Sequence, residues 1–64
     1  MPVLFWICRT EEAERWVVTV EGHVYGEYIN EELAVLDAID VANEARATGS
    51  TAEVWHRSNA SRLY

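Results

Sequence analysis

The sequence predicts an α+β fold in which an antiparallel-rich sheet carries one helix packed on one face. Three observations support this fold class. Residues 3–8 form an unbroken apolar run, residues 15–29 hold two alternating segments around a tight turn, and residues 31–47 repeat their apolar positions with a helical period. The predicted element order is βββαβ(β), within a single domain that spans residues 1–64.

The first strand, about Val3 to Arg9, contains no polar position that would mark a solvent-facing side. A strand that is wetted on one side alternates apolar and polar residues, so we expect both faces of this strand to be buried. In so small a domain one helix covers one face, and a second subunit or partner is the natural cover for the other. A chain of 64 residues is also marginally stable by itself, which favours a homodimer.

The next two strands are predicted from alternation and turn residues. After a polar connection over residues 10–14, the second strand runs from about Arg15 to Val20. Glu21-Gly22 forms a tight turn, because glycine accepts a positive φ without steric cost. The third strand is about His23 to Ile29. The alternation predicts one face with Val24, Gly26 and Tyr28, and an opposite face with His23, Tyr25 and Glu27.

The helix is predicted from its end signals and its apolar stripe. Asn30 is a good N-cap, Glu31 follows where the helix dipole favours a negative charge, and Gly49 supplies the stop signal after Ala47. The opposite side of the helix carries acids together with two exposed leucines, Leu33 and Leu36. The predicted stripe that faces the sheet comprises Ala34, Val35, Ala38, Ile39, Val41, Ala42 and Ala45.

The fourth strand, about Thr51 to Arg57, alternates Ala52 and Val54 on one face with Glu53 and Trp55 on the other. Residues 58–60 are rich in turn formers, and residues 61–64 are compatible with a short edge strand. If the fourth strand pairs in parallel with the first, the first strand becomes central. The predicted sheet order is then 3-2-1-4-5, which agrees with the apolar run that opens the chain.

Several of these residues resemble a known family. They are Trp16-Val17-Val18, Glu21-Gly22, Ala38-Ile39-x-x-Ala42 with the stop at Gly49, and Glu53-Val54 followed by a short polar turn. The pattern is similar to the short bacterial proteins of domain-of-unknown-function family 2188, over roughly residues 9–64. The chain departs from that pattern at residues 58–60 and in its acidity. The resemblance implies the same architecture and brings no catalytic residues with it.

Composition excludes several classes of function. The chain has 11 acidic residues, five arginines and no lysine, which disfavours binding to nucleic acids and to anionic membrane surfaces. We expect no signal peptide and no transmembrane segment, because the apolar run is short and Arg9 and acidic residues follow it. A single cysteine excludes an internal disulfide. A cytoplasmic protein is expected.

Candidate chemistry is sparse. Cys8 and His56 fall near the same ends of two strands and are a candidate nucleophile and base, although a buried cysteine usually behaves as a small hydrophobe. His23 and His56, with Glu27 or Glu53, lack the spacing typical of a metal site. The helix carboxylates Asp37, Asp40 and Glu44 are most simply a solvated face. We therefore expect no enzyme activity, no cofactor and no metal.

The sequence favours a small non-enzymatic protein–protein interaction module that associates with itself. The alternative is an acidic inhibitor, or nucleic-acid mimic, that binds a basic partner protein. The preferred contact surface is a sheet face with Trp6 or Phe5 beside Trp55 and Tyr25, and the two exposed leucines of the helix are a weaker second hint. The candidate interface residues are Phe5, Trp6, Tyr25, Trp55, Leu33 and Leu36.

Overall fold

The computed structural model describes residues 2–10 and 14–64, and these form one sheet and one helix in the predicted order. The predicted connection over residues 10–14 lies partly outside the described residues. The elements are β1 (Val3–Arg9), β2 (Trp16–Val20), β3 (His23–Tyr28), α1 (Glu31–Ala47), β4 (Ala52–His56) and β5 (Ser61–Arg62).

The five strands form a mixed sheet in the order β3-β2-β1-β4-β5, as the sequence predicts. The central strand β1 pairs antiparallel with β2 and parallel with β4. In the parallel pair, Trp6 lies beside Trp55 and Ile7 beside His56. Strand β5 lies at the edge of the sheet and is shorter than predicted. It covers two residues, Ser61–Arg62, whereas the sequence predicts a strand over residues 61–64.

The apolar run of β1 presents two different faces. Phe5 and Ile7 are buried in the core beneath α1. The alternate residues Leu4, Trp6 and Cys8 point to the other side and are half-buried. The absence of alternation in the sequence thus corresponds to two apolar faces, one of which the helix covers.

Helix α1 packs on the sheet through three alanines, Ala34, Ala38 and Ala42, each with no exposed surface. They lie against the sheet residues Ile7, Val18 and Val54, which are also fully buried. Small side chains let the helix axis approach branched side chains on the strands, so the interior is filled without large residues on the helix. The rest of the predicted stripe packs around this core at its margin: Val35, Ile39, Val41 and Ala45.

Both ends of α1 are closed by the residues that the sequence indicates. The Asn30 side-chain oxygen accepts a 2.9 Å hydrogen bond from the Leu33 amide. At the other end Gly49 has a φ of +94°, and the Gly49 and Ser50 amides donate to the carbonyls of the last turn, which is a Schellman arrangement. In the part of the chain that the structure describes, no helix has the length and apolar character needed to span a membrane.

The hairpin between β2 and β3 changes the predicted faces of β3. Glu21 and Gly22 both have positive φ values, +51° and +82°, as a two-residue hairpin turn requires. Beyond the turn, the register shifts: Thr19 lies opposite Val24, whereas Val18 lies opposite Gly26. Tyr25 is therefore the extra residue of a β-bulge.

The bulge makes the predicted face of Tyr25 wrong. Its ring packs edge-on against Phe5, with ring centroids 6.3 Å apart, and so lies on the side of the sheet that α1 covers. Simple alternation places Tyr25 on the opposite side, away from Gly26 and Tyr28, and groups Val24 with those two residues. In the structure Val24 lies opposite Thr19 on the other side of the sheet, and His23 lies on the helix side, so the predicted faces of Val24 and His23 are wrong as well. An inserted residue resets the alternation at one point, and no residue in the sequence marks that point.

The edge strand β3 is attached to the helix by Tyr28. Its hydroxyl donates a hydrogen bond to the Asp37 carboxylate on α1. To reach Asp37 the phenol ring folds over Gly26, and a Cβ at Gly26 would lie 2.6 Å from the Tyr28 hydroxyl oxygen. Gly26 therefore gives the ring its path, and Asp37 is a structural acceptor rather than part of a purely solvated acidic face.

The chain's last residues are fixed by Arg46, in the final turn of α1. Its guanidinium donates to the Ala52 carbonyl from two nitrogens, at 3.0 and 2.8 Å, and to the Tyr64 main-chain oxygen at 2.8 Å. The same group lies 4.1 Å above the centre of the Tyr64 ring. Tyr64 also donates to the Asn43 side chain. One arginine thus joins the helix, β4 and the segment after β5.

The alanine contact predicts a clear contrast between two faces of α1. We expect Ala42→Leu to lower the free energy of unfolding by about 1–3 kcal/mol, because the added atoms must displace the helix or leave their preferred rotamer. The matched change Asp40→Ala, at an exposed position, should alter the free energy of unfolding by less than about 0.5 kcal/mol. Denaturant melts of both variants measure this, and a larger loss for Asp40→Ala would contradict the packing described.

The Tyr28–Asp37 contact predicts a loss of stability at high pH. Burial, followed by the hydrogen bond to Asp37, raises the pKa of Tyr28 above its usual range. The neutral phenol is thus favoured in the folded state. Its contribution to the free energy of unfolding is therefore complete below the unfolded-state pKa of about 10, and this contribution is lost as the pH rises beyond that value.

We therefore expect the free energy of unfolding to fall as the pH rises from about 9 to about 11. The fall should be smaller in Tyr28→Phe, which has no phenol to ionise at this position. Tyr25→Phe is the control variant, because Tyr25 lies on the same side of the sheet and keeps the Tyr28 contact intact. Equal pH dependence in wild type and Tyr28→Phe would show that the contact contributes nothing.

Candidate functional site

Among the described residues, no helix covers the side of the sheet that faces away from α1. We call it the open sheet face. Strand register and alternation place the following residues on it: Leu4, Trp6, Cys8, Val17, Thr19, Val24, Glu27, Glu53, Trp55 and Arg62. Its centre is apolar. Glu27 and Arg62 lie on the edge strands, whereas Glu53 lies on β4 beside the central strand, and Arg57 lines a groove with Leu4, Trp6 and Thr19.

Two tryptophans occupy the middle of the open sheet face. Trp6 and Trp55 are direct neighbours on parallel strands, with ring centroids 5.9 Å apart and an angle of 37° between the rings. The Trp55 indole N–H donates to Glu53 at 2.9 Å, and Glu53 also lies 3.7 Å from the Arg62 guanidinium. The indole rings are thus held by each other and by a polar margin, and both remain half-buried.

The structure separates the six predicted interface residues into several locations. Trp6 and Trp55 lie together on the open sheet face. Phe5 is 4% exposed beneath α1, so of the two alternatives for this surface it is Trp6 that reaches solvent. Tyr25 is 46% exposed at the β3 edge on the helix side, and Leu33 and Leu36 are exposed on the outer side of α1. They do not form one continuous surface with the tryptophans.

Cys8 and His56 do not form a nucleophile–base pair. His56 lies beside Ile7 in the register, so the alternation directs Cys8 to the open sheet face and His56 to the helix side. The Cys8 sulfur lies 3.9 Å from the Trp6 carbonyl oxygen and 4.0 Å from the Thr19 hydroxyl, and both contacts are long. The thiol therefore lies in a half-buried position among open-face residues.

His56 instead belongs to a set of contacts that sequence reasoning missed. Its Nδ1 is 2.7 Å from the Ser58 hydroxyl, its Nε2 is 3.5 Å from the Glu31 carboxylate, and its ring packs edge-on against Trp16 with centroids 5.8 Å apart. A hydroxyl, an imidazole and a carboxylate are also the groups of a serine hydrolase triad. Here Ser58 lies in an exposed turn and the contact to the half-exposed Glu31 is long, so these contacts serve to orient the imidazole.

A groove lies where the parallel strands β1 and β4 end, and we call it the end groove. Its volume is about 490 Å³, and it is lined by Ile7, Cys8, Arg9, Trp16, His56, Arg57 and Ser58. The sequence contained a signal for it, because predicted parallel pairing of the first and fourth strands places Arg9 and Arg57 at one end of the sheet. Trp16 and the turn after β4 also line the groove, and a one-dimensional pattern cannot place these together.

The candidate metal ligands are separated by the fold. His23 begins β3 and His56 ends β4, and two strands lie between them, which separates the strands by about 14 Å. Glu27 and Glu53 lie on the open sheet face and therefore on the other side from His56. Within residues 2–10 and 14–64, no three histidine, cysteine or acidic side chains group as metal ligands.

Comparisons with protein-family models, curated proteins and solved structures returned no match. The resemblance to domain-of-unknown-function family 2188 therefore stays a prediction from the sequence. Any function must be inferred from the chain's own surfaces, of which the open sheet face and the end groove are the two with distinct chemistry.

The position of Cys8 predicts an unreactive thiol. We expect Cys8→Ala to retain the fold and to lower the free energy of unfolding by less than about 1 kcal/mol, because a single half-buried sulfur atom is removed. Native Cys8 should react with a thiol reagent at neutral pH no faster than an ordinary thiol. Labelling at the rate of an activated thiolate would instead indicate a catalytic role.

Proposed function

We propose that this chain is a non-enzymatic protein–protein interaction module that forms a homodimer through its open sheet face. The Trp6–Trp55 pair carries this proposal. Tryptophan is enriched among the residues that dominate binding energy at interfaces, and here two of them lie side by side at the centre of a sheet face. Leu4 and Val17 extend the apolar centre on either side.

Sheet-on-sheet packing fits this surface best. In a symmetric dimer each open sheet face would meet its own copy, with the two sheets about 10 Å apart and the helices on the outside. Glu53 and Arg62 already pair with each other at the margin, so little uncompensated charge would be buried there. The partner would then complete the burial of β1 that its apolar run indicates.

The size of the face limits the contact that a dimer can make. Five strands span about 24 Å across the sheet, and five residues of strand extend about 17 Å. An interface of this size is at the small end of specific protein–protein contacts, so we expect a micromolar dissociation constant. The proposed setting is the cytoplasm, where a free thiol such as that of Cys8 stays reduced.

Sedimentation measured over a range of concentrations tests the homodimer. We expect a monomer–dimer equilibrium for the wild type, and Trp6→Thr should raise the dissociation constant about tenfold or more because each copy loses an apolar anchor. Leu36→Thr is the matched control, since Leu36 is 59% exposed on the opposite side of the molecule. Circular dichroism verifies that both variants are folded.

Each outcome of that experiment is decisive. A wild-type monomer at every concentration would refute the homodimer. Loss of dimer in Leu36→Thr but not in Trp6→Thr would place the contact on the outer side of α1. Loss of dimer in Trp6→Thr alone would support the open sheet face.

The second candidate function is an acidic inhibitor that binds a basic partner protein. The observation that favours it is the outer side of α1, where Leu33 and Leu36 are exposed beside the acidic residues Asp40 and Glu44. Binding through this surface would weaken steeply with added salt, whereas association through the apolar open sheet face would change little. The salt dependence of binding to a basic partner polypeptide therefore tests this candidate separately from the homodimer.

A further inference from the structure

The side chains of the open sheet face lie in rows that cross the strands, and the strand register fixes each row. Trp6 and Trp55 form the middle row on the two parallel strands. Leu4 and Glu53 form the row on one side of the tryptophans. Cys8 belongs to the row on the other side, two residues further along β1.

Arg57 completes the row of Cys8. Its amide donates a 3.0 Å hydrogen bond to the Ile7 carbonyl, so the parallel pairing continues beyond β4 and brings Arg57 level with Cys8. Because side chains alternate along a strand, Arg57 is directed to the same side of the sheet as Glu53. Its position in a groove that Trp6 also lines agrees with this placement.

The strand β4 therefore carries opposite charges on either side of a tryptophan. Glu53 lies two residues before Trp55, and Arg57 lies two residues after it. A two-fold symmetric interface must be complementary to itself, so that a residue and its contact exchange places between the copies. Reversing the strand exchanges its negative end with its positive end. This strand is thus complementary in charge to an antiparallel copy of itself.

We infer that the proposed homodimer, on which this orientation rests, packs its two β4 strands antiparallel to each other across the interface. The two-fold axis lies between the sheets, crosses the strands and follows the tryptophan row. Trp55 meets Trp55 of the partner subunit. Arg57 pairs with Glu53 of the partner subunit, and symmetry repeats this ion pair once more in the dimer.

A two-fold axis along the strands gives poorer contacts. An axis over β1 sets Arg57 against the apolar Val17 of the partner subunit, and an axis between β1 and β4 sets Glu53 against Leu4 of the partner subunit. An axis over β4 sets like charges against each other. Each of these desolvates a charge without bringing an opposite charge to it, whereas the axis across the strands pairs opposite charges.

Glu53 has the capacity to accept a second cation. One of its carboxylate oxygens accepts the Trp55 indole N–H at 2.9 Å, and the other lies 3.7 Å from the Arg62 guanidinium. An ionised carboxylate offers about four lone-pair sites, so two of them are left for Arg57 of the partner subunit. The Glu53 side chain is 23% exposed, and salt screens a partly buried pair only weakly.

Sedimentation of charge-reversed variants tests the antiparallel orientation. Arg57→Glu should raise the dissociation constant about tenfold or more, because each dimer gains two contacts between like charges. Adding Glu53→Arg exchanges the two charges, restores the net charge of −6 and should return the dissociation constant to within about threefold of the wild type. The two residues lie about 13 Å apart along one strand, so this rescue reports a contact between subunits.

Arg9→Glu is the matched control. It makes the same change in net charge from an exposed position, and the pairing of Arg9 with Trp16 places it on the helix side of the sheet. We expect a rise in the dissociation constant of less than about twofold, with no rescue by Glu53→Arg. Circular dichroism verifies that every variant is folded.

Nuclear Overhauser contacts in a dimer of one isotope-labelled and one unlabelled chain give a second measure that does not depend on charge. The antiparallel orientation sets Leu4 against Cys8 of the partner subunit, and cross-peaks between their protons would support it. An axis over β1 instead sets Trp55 against Thr19 of the partner subunit, and cross-peaks between these two would overturn the antiparallel orientation.

The outcomes separate the orientation from the homodimer itself. A wild type that stays monomeric refutes both. A wild-type dimer that Arg57→Glu weakens no more than Arg9→Glu, or that Glu53→Arg does not rescue, refutes the antiparallel orientation and leaves the homodimer standing. Rescue of Arg57→Glu alone supports the ion pair between subunits.

Discussion

The close contact between three alanines of α1 and the branched side chains of the sheet is the constraint on which the rest of the structure depends. Ala34, Ala38 and Ala42 have no exposed surface, and neither do the residues Ile7 and Val54 on the strands. A helix that packs this closely covers the middle of one side of the sheet. Since the described residues contain one helix, no second helix covers the other side of the same strands. The open sheet face follows from this packing.

Edge strand β3 shows how local irregularity serves the same packing. The bulge at Tyr25 directs a second aromatic ring toward Phe5 on the helix side, and the missing side chain at Gly26 lets Tyr28 reach Asp37. Arg46 performs a similar function at the other edge, where it joins α1 to β4 and Tyr64. Aromatic rings and hydrogen bonds at both edges thus supplement a core built from small residues. In a chain of 64 residues such contacts are a large share of the available stability.

The open sheet face and the end groove are chemically different because strand geometry separates them. Because side chains alternate between the two sides of a strand, Trp6 and Trp55 both lie on the open sheet face, where they form an apolar centre. The ends of the parallel strands expose main chain and charged residues, and Arg9 and Arg57 lie there. Cys8 touches both regions without being the reactive group of either.

The sequence alone determined the elements and their order. The caps of α1, the Gly22 turn and the apolar stripe of the helix depend on residue type and period, which the chain carries locally. The sheet order 3-2-1-4-5 followed from these elements only with the added condition that the fourth strand pairs in parallel with the first, a pairing that the structure confirms. The sequence also indicated that β1 has two apolar faces. It could not choose between Phe5 and Trp6 as the outward residue, because an unbroken apolar run has no polar position that fixes its phase.

Tertiary structure alone decided where the aromatic residues lie relative to one another. The bulge reversed the side of Tyr25, the parallel register placed Trp6 against Trp55 and separated Cys8 from His56, and the turn after β4 brought Ser58 to the imidazole. Each of these depends on which residues of distant segments lie side by side. Strand register is set by the packing of whole faces, so a shift of one residue would reassign every contact while leaving the sequence pattern unchanged.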